Sequence, residues 1–157
     1  MAIRCASKAI IINDGPILLN KCKNEEGHIY YDLPGGGQNV YESLEEALVR
    51  EVKEETGYDV RVEKFIALAE EIYTSDELRE RFPEYTHRVF HIFEACIISD
   101  KKEAPTEIDF ATEGSIWIPI NELVSETEVC PSGIKKLLHN WETVKLPCYL
   151  GTEYKDW

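Results

Sequence analysis

The clearest pattern of apolar and polar positions lies between residues 43 and 58, where it follows the period of a helix. Ser43 is followed three residues later by Glu46, which is the pattern of a capping box and predicts the start of a helix. Gly57 is suited to the left-handed residue that commonly follows a helix. The pattern therefore predicts a helix of about three and a half turns between these points.

One face of this predicted helix changes character along its length. At about 100° per residue, the face begins with apolar side chains and ends with acidic ones: first Leu44, Ala47 and Leu48, then Glu51, Glu54 and Glu55. Like charges repel one another, and a buried carboxylate also loses solvation. A divalent cation resolves this conflict, because Mg²⁺ prefers carboxylate and water oxygens. The glycine run at 35–37 has no Cβ atoms and can bring backbone carbonyls close to the same place.

Other runs predict strands and short helices. Apolar positions rich in β-branched and aromatic residues predict strands at 3–12, 16–22, 30–33, 60–71, 88–99 and 115–118. The turn sequence Asn13-Asp14-Gly15 predicts that the first two strands form a hairpin. An irregular tail is expected from Lys145, and cap and breaker residues predict helical segments at 75–82, 120–124 and 131–141. Strands flanking helices predict one α/β domain with a mixed sheet over residues 1–157.

The chain of 157 residues is strongly acidic. It has 17 Lys plus Arg against 30 Asp plus Glu, which gives a net charge of −13. Such a surface repels nucleic acids and anionic membranes, so neither is expected as a partner. It also repels a free nucleotide, so a phosphorylated substrate would need a metal ion and a local basic patch in order to bind.

Cysteine use and the N-terminal sequence predict a cytoplasmic protein. The five cysteines include no C-x-x-C pair and several lie in apolar runs, which is typical of buried thiols in a reducing compartment. Charged residues interrupt the N-terminus too often for a signal peptide, and no apolar run is long enough to span a membrane.

The glycine run and the acidic helix together form a longer motif. It reads Gly36, five residues, Glu42, seven residues, Arg50-Glu51-Val52, one residue, Glu54-Glu55, one residue, Gly57-Tyr58. This spacing resembles the complete box of the Nudix (MutT-type) hydrolases. Tyr58 alone departs from it, because the family usually has Ile, Leu or Val there. The resemblance implies the Nudix α/β/α sandwich with a mixed β-sheet; the competing interpretation is a solvated acidic helix that matches by chance.

A group of carboxylates that holds a divalent metal is suited to the attack of water on phosphorus, because the metal neutralises phosphate charge and activates water. The resemblance implies which bond is cleaved: the diphosphate of a nucleoside diphosphate linked to a group X. It also implies Mg²⁺ or Mn²⁺ as the cofactor. The alternative is a catalytically silent Nudix-fold regulator that binds nucleotides. The intact acids of the box argue against that alternative, since a silent domain has no need of them.

The resemblance implies roles for the acids and glycines of the box. Glu51, Glu54 and Glu55 match the metal-binding acids of the family. One acid, with Glu51 and Glu54 as the catalytic candidates, is expected to act as the base that activates water. The backbone carbonyl of Gly35 or Gly36 is a candidate for a further metal ligand.

The resemblance also implies roles for residues that support these acids. Arg50 matches the arginine that orients a catalytic glutamate, and Glu42 matches the first acid of the box, which holds other site residues by hydrogen bonds. An ordinary surface ion pair is the alternative for these two. Members of the family often add a metal-binding acid from a late loop, and the candidates here are Glu107, Asp109 and Glu113. Glu113 is favoured because it directly precedes a strand, and a solvated loop acid is the alternative.

Residues 73–88 concentrate aromatic and basic side chains in an otherwise acidic chain. Aromatic rings can stack on a base, and arginines can hold phosphate. The candidate substrate-binding residues are Tyr73, Arg79, Arg81, Phe82, Tyr85 and Arg88. The alternative is an amphipathic surface helix packed by its aromatic side chains. A small nucleotide-type molecule is the expected partner, a homodimer is left open, and the sequence does not choose among nucleoside triphosphates, ADP-ribose and dinucleoside polyphosphates.

Overall fold

A computed structural model of the chain describes residues 3–107 and 111–156. In chain order its strands are β1 (Arg4–Ile10), β2 (Pro16–Lys23), β3 (Ile29–Asp32), β4 (Val60–Tyr73), β5 (His87–Ile97), β6 (Thr112–Pro119), β7 (Val129–Cys130) and β8 (Cys148–Lys155). Its helices are α1 (Leu44–Thr56), α2 (Asp76–Arg81) and α3 (Ile134–His139), with a short 3-10 helix at Ile120–Glu122. None of the helices in these described ranges is long and apolar enough to cross a membrane.

The strands form two four-stranded sheets, and each sheet has mixed strand directions. In the first sheet the order is β1-β5-β4-β8, with the central pair antiparallel and the two outer pairs parallel. In the second sheet the order is β6-β2-β3-β7, with the β3–β7 pair parallel and the other two pairs antiparallel. The expected α/β fold with mixed strand pairing is confirmed, and the strands are divided between two sheets.

Successive side chains of β1 point to opposite faces and enter two different apolar clusters. Ile10 belongs to a buried cluster that includes Leu138 of α3. Ala9 belongs to a second buried cluster that includes Val52 of α1. The strands are thus covered by α3 on one side and by α1 on the other, which is the layered arrangement expected from the sequence.

The helix predicted from the capping box forms as expected. The backbone of Ser43 is extended and its side chain accepts from the amide of Glu46, while the Glu46 side chain accepts from the amide of Ser43. Gly57 ends α1 with a φ of 76°, and its amide donates to the carbonyl of Lys53 at 2.9 Å. A Cβ at Gly57 would overlap the backbone of Glu103, so glycine also allows the later loop to approach the end of α1.

The predicted hairpin between the first two strands is wrong beyond its turn. Ile12 and Ile17 form an isolated bridge, and the amide of Leu18 donates to the carbonyl of Ile11 at 2.9 Å. From there the strands separate, because β1 pairs with β5 in one sheet and β2 pairs with β3 and β6 in the other. A turn sequence specifies the local reversal of the chain but not the strands with which the two arms pair.

The tail that was expected to be irregular contains β8, which pairs in parallel with β4 between Ala67↔Cys148 and Tyr73↔Lys155. A parallel partner lies far along the chain and leaves no local turn signal, so this prediction was wrong. The helix expected at 131–141 is shorter, because Gly133 has a left-handed φ of 88° and α3 begins after it. All five cysteines are free thiols; Cys22 is buried and the others are half-buried.

Candidate active site

The glycine turn between β3 and α1 lies along β1. The amide of Ser7 donates to the carbonyl of Gly36 at 2.9 Å, and the amide of Ala9 donates to the carbonyl of Pro34 at 2.8 Å. Gly35 has a φ of +124°, and a Cβ there would overlap the backbone of Ser7. The turn therefore needs glycine both for its backbone conformation and for its closeness to β1.

Three carboxylates meet next to this turn. One oxygen from each of Glu51, Glu54 and Glu107 lies within 4.8 Å of the other two. The Glu51 carboxylate also lies so close to Gly36 that a Cβ there would overlap it. Burial raises the pKa of Glu51, and the charges of Glu54 and Glu107 add to this rise against the opposing effect of Arg50. Carboxylates grouped beside a backbone turn are a donor set that suits a hard divalent cation such as Mg²⁺ or Mn²⁺.

Glu107 reaches the helix acids because its loop is attached to the end of α1. The amides of Thr106 and Glu107 donate to the carbonyl of Glu54 at 2.8 and 3.2 Å. Of the three loop acids named from the sequence, Glu107 joins the helix acids, whereas Glu113 forms an ion pair with Lys21 at 3.0 Å. Asp109 lies outside the described residues. The contact that brings Glu107, and not Glu113, to the helix acids is between backbone atoms. The spacing of acidic side chains in the sequence does not indicate such a contact.

Arg50 connects the acids of the box to one another. Its Nε and Nη2 atoms donate to the two carboxylate oxygens of Glu42 at 2.7 and 2.9 Å. Its Nη1 atom donates to Glu51 at 2.7 Å and to Glu54 at 3.0 Å, and Nη2 also donates to the carbonyl of Gly37 at 3.0 Å. Hydrogen bonds from Arg50 and from the backbone lower the pKa of Glu42 to about 2. Arg50 and Glu42 thus belong to a shared network and are more than an isolated surface pair.

Glu55 occupies a separate position beside this group. Its Oε2 atom accepts from the side-chain amide of Asn20 and from the backbone amide of Gly35, both at 2.8 Å. Burial raises the pKa of Glu55 to about 7, against the opposing effect of Lys8 and of these hydrogen bonds. The three helix acids therefore do not meet at one point, because Glu51 and Glu54 approach Glu107 while Glu55 faces β2 and the turn.

A cavity of about 310 Å³ adjoins the acids and the glycine turn. Its walls come from alternate positions of strands in both sheets, because every second side chain of a strand shares a face. Contributing residues include Arg4 and Lys8 from β1, Arg88 and Phe90 from β5, and Tyr30 and Asp32 from β3. Glu51, Glu55 and Glu107 also line it. The cavity therefore brings the acids of α1 and the later loop together with cations, aromatic rings and Asp32 from the strands.

Sequence reasoning missed a buried cation in the wall of this cavity. Lys8 is 6% exposed, and its Nζ donates to Asp32 at 2.9 Å and to the carbonyls of Leu33 and Gly35 at 3.0 and 2.8 Å. Burial acts to lower the pKa of Lys8, but the charges of Asp32 and Glu55 outweigh it and the pKa is raised. The sequence signal that could have identified this buried cation is the position of Lys8 among the apolar residues of a predicted strand.

Two of the six candidate substrate-binding residues line the cavity, namely Tyr85 and Arg88. The Arg88 guanidinium forms an ion pair with the buried carboxylate of Glu71 and lies over the ring of Phe90, 5.2 Å from its centroid. Tyr85 is exposed, with 49% of its residue surface accessible to solvent. The candidate segment therefore reaches the cavity only at its C-terminal end.

The other four candidates lie outside the described lining of the cavity. Arg79 donates to the backbone carbonyl of Tyr73 at 2.6 Å. The Arg81 guanidinium lies 5.1 Å from the centroid of the Phe82 ring. These contacts of Arg79 and Arg81 are with their own segment, which agrees with the alternative of a surface helix for this part of it, whereas Tyr73 ends β4 and pairs with Lys155 of β8.

The family description "NUDIX domain" matches residues 4–140 of the chain. The chain therefore belongs to the Nudix (MutT-type) hydrolases, and the family expected from the box is confirmed. The expectation of a hydrolase acting on phosphoric anhydride bonds agrees with this family.

Known proteins similar to the chain include enzymes and solved structures of this family. An ADP-ribose pyrophosphatase of Methanocaldococcus jannaschii is 43% identical over 63 residues, which are 40% of this chain and 37% of the relative. The chain spans about two fifths of the length of the curated relatives it matches. The structure of a UDP-X diphosphatase has a TM-score of 0.66 and 18% identity, with 95% of this chain and 68% of that one covered. An ADP-ribose pyrophosphatase of Streptococcus suis has a TM-score of 0.62 and 18% identity, with 97% and 100% covered.

Proposed function

We propose that this protein is a metal-dependent hydrolase that cleaves the diphosphate bond of a nucleoside diphosphate linked to another group X. The observation that carries the proposal is the meeting of Glu51, Glu54 and Glu107 beside Gly36 at the edge of a cavity. Acids in this arrangement hold a cation where a phosphate group can enter. The cavity provides room for the rest of a small nucleotide.

Mg²⁺ or Mn²⁺ is the cofactor in this proposal, and it would supply neutralisation of phosphate charge and activation of water. Glu51, Glu54 and Glu107 are the residues that would hold it. Glu55 and the carbonyls of Gly35 and Gly36 stay candidate ligands. Each of these carbonyls accepts one hydrogen bond, which leaves a second lone pair on the oxygen.

The chain's own residues prepare the attack on phosphorus. Arg50 holds the carboxylates of Glu51 and Glu54 in position through its Nη1 atom and is itself held by both oxygens of Glu42. Glu51 or Glu54 is the base that takes the proton from the attacking water. The rest of the substrate lies in the cavity, where Tyr85 and Arg88 are the remaining members of the proposed substrate-binding segment.

The net negative charge of the chain favours substrates with few negative charges of their own, such as diphosphates in which each phosphate carries a substituent. Such a diphosphate has about two negative charges near neutral pH, whereas a nucleoside triphosphate has about four and is repelled more strongly by an acidic protein. The names of the relatives, ADP-ribose pyrophosphatase and UDP-X diphosphatase, agree with this choice. ADP-ribose and UDP-linked sugars are therefore the first substrates to test, with nucleoside triphosphates and dinucleoside polyphosphates as comparisons.

The test is a screen for release of phosphomonoesters from these compounds with Mg²⁺ and with Mn²⁺, repeated with excess chelator. The expected result is cation-dependent hydrolysis, with a rise in melting temperature when the cation is added because it binds the folded state. Hydrolysis that continues in the chelator would overturn the metal mechanism. Nucleotide binding without any hydrolysis across the screen would favour the silent regulator.

Three further expectations stay predictions: a single domain over residues 1–157, a homodimer and a cytoplasmic location.

A further inference from the structure

Three strand residues bring positive charge to the cavity, and they differ in how that charge is compensated. Lys8 and Arg88 form ion pairs with Asp32 and Glu71, respectively. Arg4 also lines the cavity, and within residues 3–107 and 111–156 it has no ion pair. An anionic ligand could therefore pair with Arg4 without first breaking an ion pair of the described wall, which it would have to do at Lys8 or Arg88.

Contacts on two sides of the Arg4 guanidinium hold it in the cavity wall. The ring of Tyr85 lies on one side, with its centroid 4.8 Å from the guanidinium carbon. Gly37 lies so close that a Cβ there would overlap the guanidinium nitrogens. A cation against an aromatic face is attracted to the ring and keeps its N–H donors free for another partner.

This place is next to the candidate metal site along the glycine turn. Gly36 contacts the Glu51 carboxylate, and the following residue, Gly37, contacts Arg4 and accepts a hydrogen bond from Arg50. A diphosphate that enters the cavity with one phosphate at the acids would bring its second phosphate toward Arg4. Arginine suits that task, because its planar fork of donors matches phosphate oxygens.

We propose that Arg4 binds the second phosphate of the substrate, the one away from Glu51, Glu54 and Glu107, and that Tyr85 and Gly37 hold the guanidinium in place for it. This assignment rests on the proposed hydrolysis of a diphosphate. It gives the acidic chain a specific basic contact inside the cavity. It also gives Tyr85 a role in orienting Arg4, in place of stacking on a base.

The first test compares Arg4→Gln and Arg4→Lys on the best substrate from the screen. A hydrogen bond to a charged group corresponds to about a 10- to 150-fold effect, so Arg4→Gln is expected to raise KM by that factor with a smaller change in kcat. Arg4→Lys keeps the charge without the fork and should restore part of the affinity. Arg61→Gln is the matched control, because Arg61 is an arginine on β4 that pairs with exposed Glu63 and lies outside the described cavity lining. Equal KM values for Arg4→Gln and Arg61→Gln would mean that only the overall charge matters.

The second test moves the Arg4 guanidinium without removing it. Gly37→Ala adds a Cβ where the guanidinium nitrogens lie, and the backbone of Gly37 is outside the left-handed region that would resist alanine. The variant is expected to raise KM about as much as Arg4→Gln does. The double variant Arg4→Gln/Gly37→Ala should add little to either single change, because both remove the same contact. Additive effects would overturn the proposed role of Gly37.

A binding measurement separates this assignment from the proposed reaction. The α,β-methylene analogue of ADP, which stands for ADP here because its bridging carbon cannot be hydrolysed, is titrated by calorimetry into the wild type, Arg4→Gln and Gly37→Ala in the presence of Mg²⁺, after their melting temperatures have been compared. Weaker ADP binding by both variants supports the phosphate contact even if the screen finds no hydrolysis. Wild-type KM and wild-type ADP affinity in a folded Arg4→Gln would overturn the assignment and leave the hydrolase proposal standing. If Arg4→Gln does not fold, Gly37→Ala alone decides.

Discussion

The two halves of the candidate site are assembled over very different distances along the chain. In the acidic half, Arg50 reaches Glu42 across eight residues and Glu54 across four. In the cavity wall, Lys8 reaches Asp32 across 24 residues, and Asn20 reaches Glu55 across 35. Apart from Glu107, which a later loop attaches to the end of α1, the first half depends on one turn and one helix, whereas the second depends on strands from both sheets being in register.

This difference separates residues that act on the reaction from residues that hold the wall together. In the acidic half, Glu51 and Glu54 are only half-buried and lie outside the two apolar clusters, so removal of a charge leaves the packing intact. The wall contains ion pairs that the surrounding strands bury, so removal of one partner exposes the other to an apolar environment. Changes in the first half should therefore reduce activity, and changes in the second should reduce stability.

The largest expected effect is on activity in the acidic half. Glu54→Gln removes a charge from the acid group without changing the shape of the side chain, and kcat should fall by roughly 10²- to 10⁴-fold while the melting temperature changes little. Glu45→Gln is the matched control, since Glu45 lies on the same helix with an exposed side chain. Similar kcat values for the two variants would show that the acid group is not where the reaction occurs.

The next effect is on stability in the cavity wall. Lys8→Met leaves the carboxylate of Asp32 without its buried partner, and the free energy of unfolding should fall by about 3–5 kcal/mol. Lys8→Met/Asp32→Asn should recover part of the loss, because it removes the uncompensated charge as well. Urea denaturation measures both. Lys21→Met is the control: it breaks the more exposed pair with Glu113 and should change stability little. If Lys21→Met lowers the free energy of unfolding as much as Lys8→Met does, burial of the wall pair does not account for its effect.

A smaller effect is expected from the residue that connects the acids. Arg50→Lys keeps the positive charge but cannot donate to Glu42, Glu51 and Glu54 at once. The value of kcat/KM should fall by roughly 10- to 100-fold, as for other residues that orient metal ligands. Arg61→Lys, in an exposed pair, serves as the control. If Arg50→Lys lowers stability and leaves kcat/KM unchanged, Arg50 behaves like the wall residues. The proposed difference between the two halves of the site would then be wrong.

The smallest effect concerns acid stability of the wall. Burial acts to raise the pKa of Glu71, but the charges of Arg88 and Lys155 outweigh it and the pKa is lowered. A lowered pKa means that the carboxylate stabilises the folded state above the ordinary value of 4.5 and that this contribution is lost as the pH falls through the folded pKa. Glu71→Gln should therefore flatten the pH dependence of stability below that value, as followed by urea midpoints. A curve parallel to the wild type would contradict this.

How much the sequence predicted depends on the same difference in distance. Ser43, Glu46 and Gly57 define α1 through contacts within a few residues, and these were predicted. The pairing of β1 with β5 and of β8 with β4 depends on partners far along the chain, and both were missed. Arg4 and Lys8 carry no motif, because their place in the cavity follows from strand alternation once the pairing is known. Glu107 was named among the loop acids, but only its backbone contact with Glu54 distinguishes it from Glu113.

The attachment of the Glu107 loop to α1 has a consequence for how tightly a cation is held. Two of the three acids lie on a rigid helix, and the third depends on hydrogen bonds from Thr106 and Glu107 to one carbonyl. If the loop is docked in only a fraction of molecules, the apparent dissociation constant of the cation increases by the inverse of that fraction. By reciprocity, a bound cation favours the docked loop by the same free energy. Cation affinity and loop closure are then one coupled equilibrium, which hydrogen exchange at the amides of these two residues would follow directly.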